Sequence, residues 1–229
     1  YIMRGEEGYY YMVATDMYTH DPAQGWGSNP GIVLLRSADL VHWDHAKIHL
    51  ANDFPENFGD AYWVWAPQCI YDREAKKYMI YFTLQRSDRR SLITYYAYAN
   101  EDFTGFESEP RQLFAAKYGS IDNDIIYKDG VYHLFYKGNT KDEHGREFKN
   151  GIQQATSESL MGPWVEDFKY LDAYADTHTA VEGSGVFKLN DKEEYILMYD
   201  LYGSVCYNDP ATTEIYTFTE QPESFTKDF

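Results

Sequence analysis

Two acidic residues stand out by their surroundings. Glu182 lies in "AVEGSGVFK", where Gly183, Ser184 and Gly185 leave open space beside its carboxylate. Asp122 lies in "GSIDNDIIYK", one repeat length earlier in the chain. Each introduces an apolar, strand-like run that ends in a polar turn. Two carboxylates at the mouths of such strands suit general acid–base chemistry, in which one group protonates a leaving atom while another activates the attacking one. Like charges confined together also raise one another's pKa, which keeps an acid protonated near neutral pH. Taken singly, each residue has a plainer reading. Asp122 could cap a turn with Asn123, and Glu182 could be a solvated residue at a strand entry.

The elements that must position these residues form a repeat. Four units share an apolar strand, a polar turn and an aromatic strand: "YIM-RGEEG-YYYMVATD", "CIYD-REAKK-YMIYFTLQ", "DIIY-KDG-VYHLFYKG" and "GVFKLN-DKEE-YILMYDLY". A third strand follows each pair, as in "GIVLLRS", "SLITYYAYA", "GIQQATS" and "TTEIYTFTE". In the first three units a polar turn then leads to an aromatic, Trp43, Phe106 or Trp164. Short alternating strands at this period predict the blades of an all-β propeller. No segment shows a sustained helical stripe. A plain β-sandwich with accidental similarity is the competing architecture. Propellers close to hide their edge strands, so four visible units predict that part of one more blade is missing.

In a propeller the first strand of each blade lines the central channel. With the units aligned on their strands, Glu182 falls in the same slot as Asp122 and as Ala66 in "VWAPQCI". The same register in the first unit points just ahead of Tyr1, where a partner carboxylate is expected. Hydrolysis of a glycosidic bond with inversion needs an acid and a base roughly 6.5–9.5 Å apart, and neighbouring blades space carboxylates on about that scale. The shared slot favours chemistry over two unrelated surface residues.

Composition narrows the partners. The net charge is −17, and no basic cluster exceeds two or three residues. That argues against nucleic acid and anionic membranes, which need a positive patch. Aromatics make up 18% of the chain, with 23 tyrosines, a bias that suits strands and also surfaces that stack on sugars. No apolar run is long enough for a membrane span, and no signal peptide is read. Cys69 and Cys206 lie in apolar runs that favour buried free thiols over a disulfide.

These motifs resemble glycoside hydrolase family 43, and the resemblance runs over essentially the whole chain. "VEGSGVFK" resembles a V-E-G-P-x-x-x-K stretch whose glutamate is the general acid, which implies that role for Glu182. "SIDNDIIYKDGVYHLFYKG" resembles the I-D-x-x-x-F-x-D-x-G-x-x-Y-L stretch whose aspartate tunes the acid and positions substrate, which implies that role for Asp122. "WAPQCIYD" resembles the second-blade W-A-P segment, with Gln68 where aspartate is frequent. The family's general base is an aspartate in a D-P pair entering the first blade, and "YIMRGEEGYYYM" looks like the continuation of such a segment. The base is therefore expected upstream of Tyr1, and the R-H-G stretch of a fifth blade is not found.

The resemblance implies a single catalytic domain over residues 1–229, a five-bladed β-propeller of which about four blades are present. It implies inverting cleavage of arabinofuranosyl, xylosyl or galactosyl linkages in polysaccharides or oligosaccharides, with the chain alone inactive for want of the base. It further implies no required cofactor, room for a structural Ca2+ in the complete propeller, a secreted or periplasmic setting and a monomer when complete. Two other functions compete. Retaining fructan-active propellers share the architecture, but their acid precedes Cys, whereas Glu182 precedes Gly. A non-catalytic carbohydrate-binding propeller would lack the base altogether.

Further candidates follow from blade geometry. Trp63 and Trp65, just before the second-unit slot, are read as a stacking platform for sugar, with ordinary packing between blades as the alternative. The ends of the second strands should rim the pocket, which nominates Asp16, Arg86, Asn139 and Tyr202 for substrate binding. His42, His45 and His49 in "HWDHAKIHL" lack flanking cysteines and lie on an outer strand, so no metal site is assigned to them.

Overall fold

The computed structural model describes residues 1–17, 27–88, 91–138, 151–167, 180–202 and 213–218. Two compact units divide the chain, Tyr1–Ala115 and Ala116–Phe229. Each holds two antiparallel sheets in chain order. In the first unit one sheet comprises β1 (Ile2–Arg4), β2 (Tyr10–Thr15), β3 (Gly31–Ser37) and β4 (Asp44–His49). Its second sheet comprises β5 (Ala61–Asp72), β6 (Lys77–Arg86), β7 (Ile93–Tyr98) and β8 (Arg111–Phe114). The second unit holds β9 (Ile121–Lys128), β10 (Val131–Gly138), β11 (Gly151–Ser157) and β12 (Val165–Asp167). Its other sheet has β13 (Ala180–Lys188), β14 (Tyr195–Tyr202) and β15 (Thr213–Phe218). Two single-turn helices, Leu50–Asp53 and Pro55–Phe58, join β4 to β5. They are too short for the sequence periodicity to show. His49 caps the first through Nδ1, and Pro55 opens the second.

Strand composition explains the layering. β14 alternates, with Tyr195, Leu197 and Tyr199 buried and Met198 and Asp200 exposed, as a strand covered on one face should. β6 differs, because every residue from Tyr78 to Gln85 is buried. Neighbours cover both its faces, which is why "YMIYF" shows no polar alternation. In the first unit the Tyr11 ring packs in tilted contact, at 4.5 Å between centroids, with both Tyr78 and Phe103, joining its two sheets. In the second, Phe135, Ile152, Val181, Leu197 and Tyr199 form the corresponding core.

The turns that lead to Trp43, Phe106 and Trp164 are built from side-chain caps. Asp39 accepts from the backbone N–H groups of Val41 and His42, and Asn100 accepts from those of Thr104 and Gly105. Such Asx turns are the physical content of the "SADLVHW" pattern. His42 Nδ1 sits 2.8 Å from Asp39 Oδ2, and His49 is occupied with its cap, so the histidine cluster has structural work.

Candidate active site

Three inner strands carry the same irregularity. In β5, Trp65 pairs with Thr83 and Gln68 with Tyr81, so Ala66 and Pro67 together oppose Phe82. In β9, Ile121 pairs with Lys137 and Asp124 with Phe135, so Asp122 and Asn123 oppose Tyr136. In β13, Glu182 pairs with Asp200 and Gly185 with Met198, so Gly183 and Ser184 oppose Tyr199. Each is a β-bulge, an extra residue that bends the strand and re-aims its side chains. The first bulge residue has positive φ in all three: 48° at Ala66, 55° at Asp122 and 68° at Gly183. The opposing aromatic is buried each time, at 0%, 0% and 2% exposure.

This register corrects the slot inferred from sequence. Asp122 shares its position with Ala66 and Gly183, whereas Glu182 shares its position with Trp65 and Ile121. From bulge to hairpin turn, β13 is one residue shorter than β5 and β9. An alignment of the units on their strands therefore slips by one in the last sheet.

The slip does not separate the two carboxylates. Gly183 N donates to Asp122 Oδ2 at 3.0 Å, so Asp122 is tied to the residue after Glu182. Ser184 Oγ donates to the Asp122 carbonyl at 2.6 Å, and Val186 N to Asp124 Oδ2 at 2.7 Å. Three hydrogen bonds thus pin β13 to β9 around the two bulges. Gly183 suits this position twice over, since its left-handed φ strains any side chain and an added Cβ would lie 3.3 Å from Asp200 Oδ2.

Two further charged side chains complete the group. Lys137 Nζ lies 2.5 Å from Glu182 Oε2, with the lysine 15% and the glutamate 39% exposed. Asp200 lies across the β13–β14 ladder from Glu182. Burial pushes the Asp122 carboxyl up from its ordinary range. The Gly183 N–H and Lys137 pull it down, Glu182 and Asp200 push it up, and the net direction is upward. Lys137, Asp200 and Asp124 were not singled out from sequence. Lys137 and Asp200 each follow a buried aromatic in the second strand, and that placement is the signal that finds them.

The remaining candidates distribute as follows. Trp63 and Trp65 stack on one another at 4.1 Å with an interplanar angle of 15°. Trp63 Nε1 donates to Gly27 O, and Trp65 Nε1 to Asn29 Oδ1. Gln68 occupies the position just after the bulge that Asp124 fills in β9, and its Oε1 is buried without a hydrogen-bond partner among the described residues. Asp16 accepts from Lys47 Nζ at 3.0 Å. Arg86 ion-pairs with Asp60 and lines a cavity of about 230 Å³ with Leu84, Asp88, Ser91, Ile93 and Tyr95. Tyr202 closes β14 opposite Ala180. Asn139 and Cys206 lie outside the described residues. Cys69 is buried and free, and burial pushes its thiol up, so it is packed rather than reactive. Among the described residues no three His, Cys, Asp or Glu side chains are grouped to hold a metal ion. None of their helices is long and apolar enough to cross a membrane.

A family model described as "Probable glycosyl hydrolase domain", of the glycoside hydrolase family 43-related group, matches residues 1–228. The chain belongs to this family. One curated relative, an alpha-L-arabinofuranosidase from Bifidobacterium longum subsp. longum, is 25% identical over 165 residues, covering 63% of this chain and 15% of that protein. A solved alpha-L-arabinofuranosidase from Lactobacillus brevis superposes with a TM-score of 0.63 at 14% identity, covering 96% of this chain and 72% of that one. A xylan beta-1,4-xylosidase from Bacillus halodurans gives a TM-score of 0.65 at 13% identity, covering 94% of this chain and 40% of that one. The chain thus spans only a small part of the curated relative. At these identities the structural likenesses show the fold, and the sheets are the blades of a family 43 propeller.

Proposed function

We propose that the protein is an inverting O-glycoside hydrolase that cleaves arabinofuranosyl or xylosyl linkages, with galactosyl linkages as a further class. The hydrogen bond from Gly183 N to Asp122 Oδ2 carries this reading, because it ties the Asp122 carboxylate to the residue that follows Glu182. Glu182, partly exposed and flanked by small residues, donates the proton to the leaving oxygen. Asp122, tied to Gly183 N beside Glu182, takes the tuning and substrate-positioning role that the family resemblance implies. Water activation is assigned to the aspartate that the family resemblance places ahead of Tyr1. Trp63 and Trp65 offer an aromatic platform of the kind sugars stack on. The same proposal includes a single catalytic domain, no required cofactor, a monomer and a secreted or periplasmic setting.

The test uses the full-length protein with aryl and oligosaccharide arabinofuranosides and xylosides. Hydrolysis should release a sugar whose first-formed anomer, followed by ¹H NMR, is inverted relative to the substrate. Retention would remove the inverting mechanism. Tight sugar binding without turnover would favour the carbohydrate-binding propeller instead.

A further inference from the structure

Lys137 emerges from the β10 backbone between two locked neighbours. It pairs with Ile121 on one side and Ile152 on the other, directly after the buried Tyr136. Its ammonium is mostly buried, yet it meets Glu182 Oε2 at 2.5 Å. Asp200 holds the equivalent position in β14, opposite Glu182 itself. Glu182 thus has an ammonium from the preceding sheet at hydrogen-bond distance, and Lys137 donates to Oε2 and holds that oxygen toward itself. With Oε2 occupied, Oε1 is the oxygen left to face a leaving group.

We propose that Lys137 is a positioning residue that orients Glu182, holding one carboxyl oxygen so that the other is aimed for proton transfer. This rests on the acid role proposed for Glu182. A glutamate that is 39% exposed and beside three small residues has little else to hold its rotamer. Misplacing a catalytic group by about 1 Å can cost roughly 10²-fold in rate. A neutral residue at position 137 would free Glu182 to turn away.

The test compares Lys137→Met and Lys137→Arg in the full-length protein on glycosides with poor and with activated leaving groups. Lys137→Met should lower kcat roughly 10–100-fold on poor leaving groups with little change in KM, and far less on activated aryl glycosides. Lys137→Arg should recover most of the loss. Equal loss on both substrate types, or no loss on either, would overturn the proposal. A second measurement needs neither turnover nor a folded Lys137 variant. The ¹⁵N signal of the Lys137 ammonium, slowed in exchange by the ion pair, should be lost or strongly shifted in Glu182→Gln. An unchanged signal means that the pair does not form in solution, and the proposal falls whatever the activity. A perturbed ammonium signal together with full turnover by Glu182→Gln would instead sink the acid assignment and leave the ion pair standing.

Discussion

The two units use one device for different ends. In the first, the β5 bulge presents Ala66 and Pro67, and the Ala66 N–H is taken by the neutral Thr15 hydroxyl at 3.2 Å. In the second, the corresponding N–H at Gly183 is taken by the Asp122 carboxylate. The residue before the bulge is Trp65 in one unit and Glu182 in the other. The residue across the ladder from it is Thr83 in one and Asp200 in the other. Backbone geometry is held constant while the side chains change from aromatic and neutral to charged. The bulge is thus a mount, and the unit's chemistry depends on what is placed on it.

The aromatic beneath each bulge should matter equally in both units. Phe82→Ala and Tyr199→Ala each remove a fully packed ring and should cost about 3–5 kcal/mol in urea unfolding. A much smaller loss at either site would mean that the bulges are not packed alike.

The glycine separates the units more sharply. Gly183→Ala would force a left-handed φ onto a side chain that meets Asp200, and should destabilise by about 1–3 kcal/mol. Ala66→Gly relieves the same conformation in the first unit and should be neutral or stabilising by a few tenths of a kcal/mol, since glycine's greater unfolded-state entropy offsets part of the gain. Equal effects of the same sign would contradict the shared-bulge comparison.

Ser184→Ala tests the tie between β13 and β9. It removes a donor from the Asp122 carbonyl and should cost about 1 kcal/mol. Activity should fall as well, because Asp122 and Gly183 lose their register. The equivalent residue in the first unit, Pro67, has no side-chain donor to lose.

The smallest expected effect is a pH dependence. Asp122 binds its proton more tightly in the folded chain than in the unfolded one. Its contribution to stability is therefore full below the ordinary carboxylate range and is lost as pH rises through the raised value. Asp122→Asn keeps an oxygen for Gly183 N and removes that loss. Its melting temperature relative to the parent should rise as pH rises from the ordinary carboxylate range through the raised value, and level off above it. A difference that is flat with pH would mean that Asp122 is not held against ionisation.

Much of this arrangement was legible in the sequence. Alternating aromatics such as "YILMYDLY" marked the strands, and polar turns marked the hairpins, because burial on one face imposes a period of two. The aromatics Trp43, Phe106 and Trp164 marked the last turn of three sheets. Glu182 and Asp122 were visible because small or polar residues surround them. The bulges were not visible, since an inserted residue leaves the apolar pattern intact on either side and changes only the pairing. That is why the inferred slot slipped by one residue at Glu182. It is also why Lys137 and Asp200 went unnoticed while Asp16, Arg86, Asn139 and Tyr202 were chosen for the rim. Cross-strand register is a tertiary property, and the residues opposite Glu182 can be named only once it is known.

The most direct measurement is the leaving-group dependence of Glu182→Gln in the full-length protein. If the second unit's bulge mounts a general acid, kcat should fall roughly 10²–10⁴-fold for glycosides with poor leaving groups. Activated aryl glycosides, which leave with little protonation, should lose far less, so the rate should come to depend steeply on leaving-group pKa. An equal loss across the series, or none at all, would contradict the acid role of Glu182 and with it the contrast between the two units.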